Sequence, residues 1–270
     1  MTSITAFDAA RVELLLSDLR LPAIKAAWPA LAAQADKEGW PAARFLAALA
    51  EHEMVERARR RFERHLEEAR LPPGKTFDTF DFEAVPMVSK AQVMALAAGD
   101  AWIEKGANLL LFGGPGAGKS HLGAALGLAL VENGWRVLFA RTTDLVQKLQ
   151  AARRDLALEN AIGKLDKYHL LILDDLAYAA KDQAETSVLF ELISARYERR
   201  SMLITANQPF AEWNRVFPDQ AMTLAAVDRL VHHATIFEMN VESYRRRSAL
   251  ERARGPGRPP TRATIKTTPS

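Results

Sequence analysis

The sequence predicts an α/β domain built on a parallel sheet with helices on both faces, preceded by a small all-helical domain, and three observations lead to it. From residue 108 onward, apolar runs of strand length alternate with helix-length stretches. One run, NLLLFG, breaks into a glycine-rich turn that opens a helix. The first 70 residues, by contrast, read as helical. Alternation supplies the long crossovers that parallel pairing needs, and unbroken apolar runs mark strands covered on both faces.

Asp8 can cap a first helix that carries Val12, Leu15, Leu16 and Leu19 on one face. Pro22 begins a second and Gly39 ends it, since proline suits the first turn and glycine the left-handed residue after the last. Pro41 begins a third that runs to about Arg70, with Phe45, Leu46, Leu49, Met54, Phe62 and Leu66 among alternating charges. LPPG stops it, because no helix continues through paired prolines, and a linker is expected at 71–75. TFDTFDF and a helix near 89–98 follow. Beyond NLLLFG and its helix HLGAALGLALVEN, WRVLFA reads as a strand after Asn133-Gly134, and TTDLVQKLQAA as a helix behind a Thr/Asp cap. YHLLILDD is a strand, AETSVLFELISARYERR a helix, and SMLITANQ and ATIFEMN two more strands. The expected organisation is a helical domain over 1–70 that binds DNA or a partner, a connecting segment over 71–88, an α/β domain over 89–247 and a basic, disordered tail over 248–270.

A chain of 270 residues with 49% hydrophobic content can fill one α/β core and a smaller companion. No run approaches the roughly 18 uncharged apolar residues of a membrane span, and MTSITAFDAARVE lacks a basic and apolar leader, so a cytoplasmic protein without membrane contact is expected. Zero cysteines exclude disulfides, zinc fingers and thiol catalysis. The net charge of +3 conceals an asymmetry: from Arg245 to Ser270 stand eight Lys or Arg against one acid, Glu251, so this stretch carries +7 and residues 1–244 carry −4. A tail rich in Pro, Gly and Thr cannot bury a core; its charge suits a polyanion or, equally, a solvated tail without a partner. Within it, Gly257-Arg258-Pro259 resembles the core of a minor-groove AT-hook, which makes Arg258 a candidate DNA contact. Arg57, Arg59, Arg60, Arg61 and Arg64 crowd the third helix and can grip phosphates; equally, the six Glu between Glu51 and Glu68 can neutralise the six Arg of residues 51–70 along a solvated helix.

The glycine-rich turn carries the chemistry. Gly113-Gly114-Pro115-Gly116-Ala117-Gly118-Lys119-Ser120 has a Gly, four residues, then Gly-Lys-Ser, the phosphate-binding loop pattern. Glycines let backbone N–H groups crowd around phosphates where a Cβ would clash. Lys119 would reach the β and γ phosphates, Ser120 would hold Mg²⁺, and the helix running on through His121 would add its N-terminal partial positive charge. ATP with Mg²⁺ is therefore the expected ligand, bound along Gly113 to His121. The G-x-G-x-x-G spacing of a dinucleotide site fails, because Lys119 stands three residues after Gly116.

Ligands of open parallel sheets sit beyond the carboxyl ends of the strands. HLLILDD ends in Asp174 and Asp175, and SMLITANQ ends in Thr205 and Asn207. Asp174 would hold the metal through its water, and Asp175 would orient or deprotonate the attacking water. Asn207 can align that water or sense the γ-phosphate, although Asn-x-Pro is also an ordinary turn. A cation supplied to the γ-phosphoryl oxygens raises the rate by orders of magnitude, and Arg229 in LAAVDRLVHH is the candidate, although beside Asp228 it also reads as half of a surface pair. His232 and His233 have no acidic or Cys companions at metal spacing; they read as surface or nucleic-acid-facing residues, and no zinc site is expected.

Together LLLFGGPGAGKSHL, LLILDDLA, ITANQPF, AAVDRLVHHATIFEM and VESYRRR, behind a helical front and TFDTFDF, resemble the IstB-like ATP-binding proteins of insertion sequences, AAA+ ATPases of the initiator and helicase-loader branch. The resemblance extends to about Arg247. It implies a three-layer AAA+ P-loop fold, with an adenine-side segment within 71–88 and no lid domain before the basic tail. It also implies a DNA-stimulated ATPase that forms a ring or spiral homo-oligomer on duplex DNA and recruits and regulates the transposase of the same element. Under the resemblance Asp174 and Asp175 match the second nucleotide motif, with Asp where most AAA+ proteins have Glu. Asn207 matches the first sensor, Arg229 the arginine offered to a neighbouring subunit's ATP, and Arg245 stands where a second sensor is sought. A DnaC-type helicase loader would carry nearly the same motifs, and a DNA-binding scaffold switched by ATP without turnover is the alternative of another class. A small-molecule kinase is disfavoured, because Asp174, Asp175, Asn207 and Arg229 are all engaged on ATP.

Overall fold

Three helices dominate the first of two compact units, Met1–Arg64 and His65–Ser270, into which the chain divides. The computed structural model describes residues 6–176, 182–215, 218–241 and 243–244. Helix α1 spans Ala6–Asp18, α2 Pro22–Glu38 and α3 Ala42–Ala69, whose last residues belong to the second unit. Asp8 lies inside the first turn of α1 rather than ahead of it as a cap, and its charge still faces the positive end of the helix. Pro22 opens α2, and Gly39, left-handed at φ 63°, closes it by donating its N–H to Ala35 O, as the sequence predicts. Leu21 offers α2 no side-chain cap. Its first amides are met from α3 instead, where Glu53 Oε2 accepts from Ala23 N at 3.0 Å and Ile24 N at 3.1 Å.

In the second unit Ser89 caps α4 (Lys90–Ala98) by accepting from Gln92 N. Strand and helix then alternate: β1 (Leu109–Gly113), α5 (Lys119–Glu132), β2 (Val137–Arg141), α6 (Thr142–Arg154), α7 (Leu158–Leu165), β3 (Leu170–Asp174), α8 (Gln183–Arg196), β4 (Ser201–Ala206), a 3₁₀ turn over Phe210–Arg215, α9 (Gln220–Val231) and β5 (Thr235–Met239). The strands pair in parallel in the order β2-β3-β4-β1-β5. β1, β3 and β4 are buried along their whole lengths, as unbroken apolar runs require. α5 covers one face of the sheet. On the other face Leu110, Phe112, Leu171, Leu173 and Ile204 pack with Val146 of α6, Leu192 of α8 and Leu230 of α9.

Two differences from the sequence reading have local causes. The Thr/Asp cap of α6 does not form; Thr142 is already helical, and its hydroxyl donates to Asp174 O at 2.9 Å. α7 leaves no pattern in the sequence, because its 8 residues are too few to establish a period. At the amino ends of the strands the buried guanidinium of Arg196 donates to the carbonyls of Leu165, Tyr168 and Ser201, joining α7 to the starts of β3 and β4. Burial pushes its pKa down to about 10. No helix among the described residues is long and apolar enough to cross a membrane.

Candidate functional site

β1 delivers its carboxyl end into the glycine-rich loop. Gly113 sits at φ 153°, where a Cβ would collide with Met239 O at the end of β5. Gly116, at φ 84°, would drive one into Ser243 Oγ. Neither position takes a side chain without displacing its neighbour. Lys119, the first residue of α5, is buried, and its Nζ donates to Gly113 O at 2.7 Å, Gly114 O at 2.9 Å and Asn207 Oδ1 at 2.8 Å. The loop thus closes around its own lysine and brings in the residue that follows β4.

The two acids are divided by a turn. β3 and β4 pair with Leu173 opposite Ile204, which sets Thr205 beside Asp174. Thr205 Oγ1 donates to Asp174 Oδ1 at 2.7 Å and accepts from Asp175 N at 2.9 Å. Asp174 is buried under this contact, whereas Asp175 leaves the strand at φ 57°, uncommon for a residue with a side chain, and lines the cleft above.

That cleft, of about 810 Å³, lies within the roughly 300–1,000 Å³ typical of small-ligand sites. Lys119, Ser120, His121, Asp175 and Asn207 line it, and further wall comes from Lys75, Phe80 and Val85 ahead of α4 and from Val241 and Tyr244 after β5. His121 fastens the first of these segments to α5. Its Nε2 lies 3.0 Å from Thr79 Oγ1 and 3.1 Å from Thr76 O, and its ring meets Phe80 edge-on at 5.3 Å. Burial holds the imidazole pKa below its ordinary 6.5, against the upward pull of the Thr76 hydrogen bond. Tyr244 N donates to Gly116 O at 3.1 Å, so the chain after β5 rests on the phosphate loop.

Over residues 14–252 the chain matches the family described as IstB-like ATP binding protein. It belongs to that family. An insertion sequence ATP-binding protein of Sinorhizobium fredii is 77% identical to this IstB-like chain over 96% of it and 87% of the relative. The IS21 insertion sequence ATP-binding protein of Pseudomonas aeruginosa is 37% identical over 87% of this chain and 88% of its own length. Among solved structures, the DnaC helicase loader aligns with a TM-score of 0.52 at 20% identity, covering 63% of this chain and 98% of that one. AMPPCP-bound DnaA from Aquifex aeolicus aligns at 0.53 and 16% identity, over 68% of this chain and 56% of its own. The fold is therefore that of the AAA+ P-loop proteins, as expected.

Arg229, on α9, donates to Ala225 O at 2.9 Å and lies 5.0 Å from the Phe190 ring centroid; it is not among the residues lining its own chain's cleft. On α3, Arg57 pairs with Glu53 at 2.9 Å, Arg59 with Glu56 and Glu63 at 2.6 and 2.5 Å, and Arg60 with Glu56 at 2.9 Å, the pattern of a solvated helix. Arg61 and Arg64 lie on the same helix. Arg245, Arg258 and the tail lie outside the described residues. His232 does meet an acid, Glu198, whose Oε1 stands 3.4 Å from its Nδ1; the contact is invisible in the sequence because the fold supplies it. Thr142, Thr205 and Tyr244 carry contacts at the site that the sequence motifs do not assign. Thr205 was visible as a polar strand end, but nothing in the spacing of VESYRRR marks Tyr244 as a loop contact.

Proposed function

We propose that this IstB-like protein is an ATPase that assists transposition: it binds Mg²⁺-ATP in the cleft, assembles on duplex DNA, hydrolyses ATP at sites completed between subunits, and through that cycle recruits and regulates the transposase of its element. The observation that carries the reading is the convergence of Lys119, Ser120, Asp175 and Asn207 on one cleft, with Asp174 and Thr205 beneath them. The Ser120 hydroxyl and the Asp174 carboxylate are hard oxygen donors that suit Mg²⁺, which when bound neutralises charge on the phosphate oxygens. Lys119 exchanges its carbonyl contacts for the β and γ phosphates, and Asn207, then released, aligns the attacking water. Asp175 orients that water and takes its proton. Arg229 stands outside its own cleft on α9, which suits an arginine offered to the next subunit's γ-phosphate.

The output is assigned by charge and exposure. Phe7, Leu14, Leu19, Leu46, Met54 and Val55 of the helical unit are exposed, while Arg57, Arg59 and Arg60 are engaged by glutamates of their own helix. That surface suits a protein partner, the transposase or another subunit. DNA contacts then fall to Arg61, Arg64 and the basic stretch that starts at Arg245 and includes Arg258. Arg245 directly follows the residue bonded to Gly116, which supports it as a second sensor. The insertion-sequence relatives support transposition over helicase loading.

Hydrolysis by the parent protein should rise with duplex DNA. Lys119→Ala should lose both ATP binding and hydrolysis, and Asp175→Asn should keep binding while losing hydrolysis. Titration with labelled ATP and phosphate release separate the two steps, and hydrolysis at the parent rate by Asp175→Asn would contradict the assignment. DNA affinity should fall steeply with salt, because phosphate contacts release counterions.

A further inference from the structure

The carboxyl ends of α8 and α9 meet at the amino ends of the strands, opposite the nucleotide cleft. α8 ends at Arg196 and α9 at Val231, ahead of the starts of β4 at Ser201 and β5 at Thr235. These strand starts lie one strand length, roughly 16 Å, from the phosphate loop. Between them Glu198, His232 and His233 form an exposed cluster in which one ligand atom from each lies within 4.8 Å of the others. The imidazole rings of His232 and His233 stand 3.9 Å apart, and Tyr197 OH lies 2.7 Å from His232 Nδ1.

Two features beyond proximity bias this cluster toward a cation. Tyr197 N–H still bonds to Ile193 O and His232 N–H to Asp228 O, so the carboxyl ends of two packed helices converge here with their partial negative charge. Glu198 and His233 are both left-handed, at φ 55° and 59°. A residue with a Cβ holds that conformation at some cost, and here it turns the chain back at each helix end.

We propose that Glu198, His232 and His233 bind a first-row transition ion of the Zn²⁺, Co²⁺ or Ni²⁺ type. Two imidazole nitrogens and one carboxylate oxygen are the donors such ions favour, whereas Mg²⁺ and Ca²⁺ take oxygen alone. Ligand atoms around a tetrahedral ion lie roughly 3.3 Å apart, which exposed side chains reach by small rotations. Three protein ligands leave one position for water or for a group from another molecule. The bound ion would fasten the end of α8 to that of α9, one turn beyond Arg229.

The test is calorimetric titration of the full chain, carrying no histidine tag, with ZnCl₂. About one equivalent should bind saturably, the melting temperature should rise with Zn²⁺ but not with Mg²⁺, and His233→Ala and Glu198→Gln should each weaken binding by about tenfold or more. His52→Ala, exposed on α3, should bind as the parent does. Circular dichroism shows whether each variant is folded, and Glu198→Gln preserves shape if the histidine variant does not fold. Absence of saturable binding below about 100 μM, or affinity unchanged in both variants, overturns the site.

Discussion

Thr205 serves both acids at the end of β3 with one hydroxyl, donating to Asp174 Oδ1 and accepting from Asp175 N. Thr205→Val keeps the shape and removes both contacts. A buried carboxylate oxygen and an amide then lose a partner, at about 1–3 kcal/mol of stability. ATP hydrolysis should fall by about tenfold or more while ATP binding through Lys119 persists, and Thr205→Ser should restore most of the rate. Steady-state phosphate release checks this, and a Val variant at the parent rate would remove Thr205 from the site. At this scale much was legible: Gly113 to Ser120, Asp174, Asp175 and Asn207 all stand at strand ends, where polarity has few structural uses. Tyr244 was not, because a backbone N–H bonded to Gly116 O leaves no trace in residue type.

Helix ends show the same division. Pro22 and Gly39 bound α2 through their own backbone preferences, so the sequence declares that helix. Its cap comes from Glu53 on a different helix, which no local pattern encodes. Burial is the strongest influence on Glu53 and raises its pKa, yet hydrogen bonds from Ile24, Arg57 and Ala23 together hold it below 4.5. Glu53→Ala should cost about 2 kcal/mol. Faster amide hydrogen exchange at Ala23 and Ile24, with little change in the sheet, is the expected signature. α7 is too short to show a period, whereas α9 is announced by Pro218-Asp219, and Asp219 caps it by accepting from Met222 N.

For the whole molecule, the alternation of apolar runs disclosed the parallel sheet, but the strand order that sets β1 between β4 and β5 depends on non-local pairing. Two half-buried histidines give its stability a pH dependence. Burial, then Arg200 and Arg136, hold His169 below 6.5, and burial does the same for His121. The unfolded chain therefore takes up protons first as pH falls through 6.5, so stability present above that value is lost below it. Glu68, held below 4.5 by its hydrogen bond from Arg136, adds a second loss below 4.5, as does Glu53. The urea midpoint should drop between about pH 7.5 and 5.5, and His169→Asn should flatten the slope; a constant midpoint would contradict the assignment. The proposed ATP site is completed between subunits, with Asp175 in one and Arg229 in the next. Its most direct test mixes two variants, Asp175→Asn and Arg229→Ala, on duplex DNA and measures phosphate release. Each alone should be inactive, and the mixture should regain hydrolysis, because one class of interface then pairs an intact Asp175 with an intact Arg229. A mixture no more active than its parts, or an Arg229→Ala protein that hydrolyses ATP unaided, would contradict it.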